Sequence, residues 1–132
     1  MKPLIFRFFS ACMLTILVSM NADAGDVVVI SHRGTTVSAV DIRDVFLGEK
    51  QFAGNIKLIV VDNASVQDSF LSKHMKMDAS KYNGFWTKKS FRDGLIPPAV
   101  KSGDAEVIDY IKRTPGAIGY VSSTPTGVNV VQ

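Results

Sequence analysis

Ile56-Lys57-Leu58-Ile59-Val60-Val61-Asp62-Asn63-Ala64-Ser65 is the stretch that decides the fold. Its densest part, Ile59 to Val61, is continuous and β-branched, the pattern of a strand buried on both faces. Ser65 and Asp68 follow directly, at the spacing of a helix-start capping box. Val66, Phe70 and His74 or Met75 then supply an inner helical face. A buried strand running into a capped helix is the repeating unit of α/β domains.

The flanking sequence repeats that unit. Val27 to Ser31 is a short valine-rich run, a second buried strand. Ser38 and Asp41 form another helix-start pair, followed by Ala39, Ile42, Val45 and Phe46 at helical spacing and by Gly48 as a stop. Asp78 is placed to cap a third helix, whose Tyr82, Phe85 and Trp86 form an aromatic stripe expected to enter the core. Gly94 and Pro97-Pro98 mark an irregular stretch, because proline lacks the N–H donor. Ser102-Gly103-Asp104 opens a last helix with Val107, Ile108 and Ile111 inward, and Thr114-Pro115-Gly116 ends it. Ala117 to Val121 and Val128 to Val131 are two final strands. The pattern predicts one α/β domain with a central mixed or mostly parallel sheet flanked by helices.

Composition narrows the class. Of 132 residues, 46% are apolar and 20% charged, which suits one globular domain and argues against bulk disorder. Residues 1–24 read as a cleaved signal peptide: Lys2 and Arg7, an apolar run from Phe8 to Met20, then Ala22-Asp23-Ala24. That run is shorter than the roughly 20 residues that span a bilayer. The expected mature domain, 25–132, then lacks Cys12 and has no disulfide or thiol chemistry. Removing Lys2, Arg7 and Asp23 from 15 basic and 12 acidic residues leaves 13 and 11, too even a balance for nucleic-acid binding. Lys73, Lys76, Lys81, Lys88, Lys89 and Arg92 cluster within 20 residues, as a solvated pair of helix faces or as a surface that steers an anion.

The chemical inventory points away from catalysis. His32 and His74 have no glutamate or cysteine at metal-ligand spacing, and no nucleophile elbow, phosphate-loop lysine or dinucleotide fingerprint occurs. No cofactor is expected. A helix start, by contrast, presents unpaired N–H groups and a positive dipole end, which can hold an oxyanion. Two places qualify as anion-binding candidates. One is the turn around Asn63 and Ser65, where the crevice of an open α/β sheet lies. The other is Ser31-His32-Arg33-Gly34, with Ser31 and Arg33 as its polar contacts.

Three motifs in order carry a family resemblance: Asp44-Val45-Phe46-Leu47-Gly48, Ile59-Val60-Val61 leading to Ser65, and Thr114-Pro115-Gly116-Ala117-Ile118-Gly119-Tyr120-Val121. Together they resemble the second lobe of the phosphate-binding proteins that serve bacterial phosphate ABC importers. Trp86 to Pro98 also resembles a group of short, single-lobe exported proteins assigned by that similarity. The resemblance spans most of residues 26–132 and implies a periplasmic-binding-protein-like lobe. It also implies phosphate, or a related small oxyanion, held by hydroxyls and helix-start donors with an arginine on the strand leading in. The matching turn here, Val61-Asp62-Asn63-Ala64-Ser65, lacks that arginine and carries Asp62 instead. Of a Ser-Gly-Thr cluster only Ser65 remains, followed by Val66. One lobe cannot close over a small anion, so a homodimer or an ABC-transporter partner would supply the other wall. The alternative is a periplasmic protein-interaction module that reuses the lobe without solute.

Overall fold

The computed structural model describes residues 26–132; the leader expected over residues 1–24 lies outside them. The elements are β1 (Val28–Ser31), α1 (Ile42–Phe46), β2 (Phe52–Ala53), β3 (Ile56–Lys57), β4 (Ile59–Asn63), α2 (Gln67–Phe70), α3 (Ala79–Asp93), β5 (Ala99–Lys101), α4 (Asp104–Arg113), β6 (Ala117–Val121) and β7 (Asn129–Val130). Five strands make one sheet in the order β5-β4-β6-β1-β7. β4 runs parallel to β5 and β6, and β1 runs antiparallel to β6 and β7, so the sheet is mixed. β2 and β3 form a separate small hairpin.

The central strand explains why the apolar runs are continuous. All five residues of β6 are buried. Side chains alternate across a strand, so Ile118 and Tyr120 enter a layer with Phe46, Phe70, Leu71, Met75 and Trp86. Ala117 and Val121 enter the opposite layer with Val61, Val107 and Ile111. Thus α1 to α3 cover one face and α4 the other. The densest packing joins Phe70 to Tyr120 (stacked, centroids 3.9 Å apart) and to Phe46 (4.6 Å).

The two glycines of the Gly116–Tyr120 stretch have separate reasons. Gly116 has φ +85°, and a Cβ there would lie 2.2 Å from the Lys57 carbonyl oxygen. Gly119 faces α4, where a Cβ would press on Val61, Val107 and Ile111 at 2.9–3.2 Å. The strand therefore admits α4 only because that position is bare.

Several local expectations need correction. Ser38 makes no side-chain cap bond; the chain enters α1 through a 3-10 turn, Ala39–Asp41, and Asp41 instead pairs with Lys50 at 2.8 Å. The stretch from Ile56 to Val61 is not one strand, since Ile56–Lys57 belongs to the hairpin. Ser65 does not cap α2, whose first turn follows Val66 without any side-chain cap. That helix loosens into a π-helical turn, Leu71–Met75, which ends at Lys76 with φ 54°. The third cap is as expected: Asp78 accepts from the Lys81 N–H at 2.8 Å. Tyr82 and Trp86 are buried as the stripe predicted.

β5 arises inside the stretch expected to be irregular. Its register, Val61 opposite Ala99, sets Pro98 against Val60 and Pro97 against Ile59. Neither proline has an N–H to donate, which is why the strand begins only at Ala99.

Candidate functional site

The C-terminal ends of β4 and β6 and the start of α4 meet at one edge of the sheet. Asn63, the last residue of β4, is fully buried there. Its Nδ2 donates to Asp104 Oδ1 at 2.8 Å and to the Tyr120 carbonyl at 3.0 Å. Its Oδ1 accepts from the Ser65 N–H at 3.1 Å and the Ser65 hydroxyl at 2.6 Å. Both donors and both acceptor sites of the amide are thus occupied.

Asp104 completes the network. Its second oxygen accepts from the Ser122 N–H at 3.1 Å and from the Ser122 hydroxyl. Donors from β4 and from the chain leaving β6 therefore converge on a carboxylate that the protein itself supplies. Asp104 and Glu106 occupy the first turn of α4, where the helix dipole favours negative charge. Glu106 accepts from the Ser102 N–H at 3.3 Å, and its hydrogen bonding to Ser102 holds it below the usual carboxylate range.

The turn itself offers few spare donors. The Ala64 N–H goes to the Lys101 carbonyl at 2.9 Å and the Val66 N–H to the Asn63 carbonyl at 3.2 Å. Ser65 is exposed; its N–H closes an Asx-type turn on Asn63 Oδ1, and its hydroxyl donates to the same oxygen. Ser65→Ala is expected to lower stability by about 1 kcal/mol, the value of one hydrogen bond, and to leave the melt cooperative. Urea unfolding of the purified pair of proteins checks this.

Asp62 points to the other face of the sheet. It is 2% exposed, and its two oxygens accept from the Tyr82 and Tyr120 hydroxyls, each at 2.9 Å. Burial pushes its pKa up to about 6, against the opposing effect of those two hydrogen bonds. Both tyrosines are in turn pushed upward by burial and by the neighbouring carboxylate. Asp62 is thus a buried core group at the position where the family resemblance implies an arginine.

Ser31 and Arg33 lie elsewhere. Ser31 pairs with Ile118, whereas the parallel β4–β6 register carries Asn63 to the level of Val121. Three residue steps, roughly 10 Å along the strands, separate the two levels. Ser31 is buried and donates to the Thr35 carbonyl at 2.7 Å. Arg33 sits on an exposed turn whose carbonyls accept from Asn129 Nδ2. The four sequence candidates therefore fall into two groups, Asn63 with Ser65 and Ser31 with Arg33, at opposite ends of the sheet.

Asp104, Ser122, Tyr82 and Tyr120 were not among the sequence candidates. Asp104 has only the local signature of a helix start, and its partner Asn63 is 41 positions away. The basic cluster is partly neutralised: Lys73 pairs with Asp26 at 3.9 Å, Lys89 with Glu49 at 3.0 Å and Arg92 with Asp93 at 3.1 Å. His32 Nδ1 accepts from the Gly34 N–H, and His74 Nε2 lies 3.0 Å from the Val27 carbonyl. Among the described residues no group of three or more His, Cys, Asp or Glu side chains could hold a metal ion. Nor is any helix among them long and apolar enough to cross a membrane.

No protein-family model and no curated protein matches the chain. Solved structures do share its fold. A Clostridium perfringens protein, described as a phosphate ABC transporter substrate-binding protein and solved with bound phosphate, matches 81% of this chain with TM-score 0.52 and 15% identity. An ABC-type phosphate transport receptor from Vibrio cholerae matches 81% of it with TM-score 0.50 and 10% identity. This chain covers 44% and 45% of those two chains, so it spans less than half the length of either. The fold is that of part of a substrate-binding protein.

Proposed function

We propose that this chain is an exported, non-enzymatic binding-protein lobe that acts in the periplasm as a protein-interaction module. The observation that carries this reading is the Asp104 carboxylate, seated among the Asn63 and Ser122 donors. An oxyanion arriving at this edge would have to displace a carboxylate and then sit beside Glu106 at the same helix start. A further negative charge beside these two carboxylates is repelled by both. Export is supported by the leader features of residues 1–24, and a non-enzymatic role by the class of the structural relatives.

A second reading keeps the site and changes the ligand: phosphate or a related small oxyanion, in connection with phosphate uptake or sensing. It is favoured by the likeness to a structure solved with phosphate. It requires a second wall from a homodimer or a transporter partner, and it requires Asp104 to move.

Thermal unfolding of the purified protein at low salt, with and without millimolar phosphate, sulfate and arsenate, separates the two. The interaction reading expects an unchanged midpoint with all three. An anion at 100 times its dissociation constant adds about 2.7 kcal/mol, a rise on the order of ten degrees for a domain this size. A rise with one anion alone would overturn the leading reading and establish the second.

A further inference from the structure

We propose that the open sheet edge at β5, with the apolar groove beside it, binds an extended segment of a partner protein in which apolar residues alternate with carboxylates. This rests on the interaction-module reading and gives it a surface. β5 is one of the two edge strands of the sheet, opposite β7. The Lys101 carbonyl accepts from the Ala64 N–H, so Lys101 faces β4. Successive residues of a parallel strand face opposite neighbours, so Val100 turns its N–H and carbonyl outward. The residue is 61% exposed. An added strand uses such a row of backbone groups for affinity and adjacent pockets for selectivity.

The adjacent pocket is present. A groove of about 480 Å3 opens where the prolines stop β5 from continuing along β4. Leu58, Val60 and Trp86 line it together with Ile96, Pro97 and Pro98. Ile96 is 88% exposed at its margin, and Ile59 is also partly open to water. Exposed aliphatic side chains beside an apolar groove mark a contact surface.

Charge selects the occupant. The lining itself carries Lys50 and Lys57 and no carboxylate. Of the carboxylates bonded to it or next to it in sequence, Asp62 is held by two tyrosines, Asp44 is exposed, and the other four are held by cations. Asp41 pairs with Lys50, Glu49 with Lys89, Asp93 with Arg92 and Asp109 with Arg113, at 2.8–3.1 Å. Lys57 is exposed, and Lys101 lies over the Tyr110 ring at 4.5 Å. Neither is in a salt bridge among the described residues, although Lys101 acts on Glu106 from a distance. The groove lining and β5 thus carry lysines and no carboxylate, so they favour an acidic segment; a second copy would bring the same lysines. The prolines and Lys101 keep the edge short, which limits indiscriminate pairing.

The test is selection of displayed random peptides on the purified protein, followed by amide mapping with NMR. Enriched peptides are expected to alternate apolar residues with at least two carboxylates and to shift the Val100 amide and the Trp86 indole N–H. Val100→Pro removes the outward N–H, and Ile96→Asp makes the groove margin polar. Each should weaken those peptides at least tenfold with an unchanged unfolding midpoint, and Lys57→Glu should weaken them too. Enrichment of lysine-rich peptides, no enrichment, or full affinity for both variants would overturn the proposal. So would a dimer in sedimentation that Val100→Pro dissolves, because the edge would then belong to a second copy. If selection fails while phosphate leaves the midpoint unchanged, the interaction reading stands with another surface. If phosphate raises the midpoint, that reading itself falls.

Discussion

Asn63→Leu is expected to lower the stability of the domain by roughly 3–5 kcal/mol. The leucine fills similar space but removes every hydrogen bond of the amide. The Tyr120 carbonyl is then left without that donor, and so is one oxygen of Asp104. Unsatisfied buried groups cost about 1–3 kcal/mol each, and more when charged. Against a typical total of 5–15 kcal/mol, such a loss removes a large share of the margin. Asn63→Asp makes a sharper control, because it places a second carboxylate against Asp104. Its destabilisation should be large at pH 7 and relieved in acid, while that of Asn63→Leu should change little with pH. Urea midpoints of both variants at pH 7 and pH 5 would check this. An unchanged midpoint for Asn63→Leu would mean that the network does not hold the three elements together.

Asp62→Asn is expected to remove a pH dependence that the wild-type protein shows. The folded pKa of Asp62 is about 6, above its ordinary value near 3.8. The folded state therefore holds the proton more tightly than the unfolded one. Stability from this group is fully present below the unfolded value and is lost as pH rises through about 6. The whole window amounts to roughly 3 kcal/mol, of which roughly 2 is regained between pH 7 and pH 4.5. Asparagine keeps an acceptor for one tyrosine and cannot ionise, so its variant should lack this term. The check is the difference in unfolding free energy between wild type and Asp62→Asn at the two pH values. A difference that stays constant would show that Asp62 titrates normally in the fold. A difference that moves the opposite way would show that the two tyrosine hydrogen bonds outweigh burial.

These two residues also mark the limit of local reading. Asp62 and Asn63 stand side by side at the end of β4, next to the turn where the family resemblance implies anion contacts. Alternation along β4 sends one into the aromatic core and the other into the edge network. Ser65 had the spacing of a helix cap, yet its hydroxyl donates to Asn63 Oδ1, and the helix starts one residue later without a side-chain cap. Arg33 and Ser31 had the right chemistry for an anion, but antiparallel pairing of β1 with β6 carries them away from Asn63. A strand's direction relative to its neighbour is not written in its own residues.

The sequence by itself determined the class of fold and most of its core. Continuous β-branched runs require burial on both faces, and the helical stripes of Val45-Phe46, Tyr82-Trp86 and Val107-Ile111 supply the layers that cover them. Local chemistry suffices for such elements, because period and hydrophobicity are properties of adjacent residues. The tertiary structure alone decided the site. It brought Asp104 onto Asn63 and Ser122 onto Asp104, set Tyr82 and Tyr120 on Asp62, and left β5 at an open edge beside two prolines. Each of those contacts except the prolines joins residues at least 18 positions apart. Their partners are chosen by sheet order and register, which depend on the packing of the whole chain.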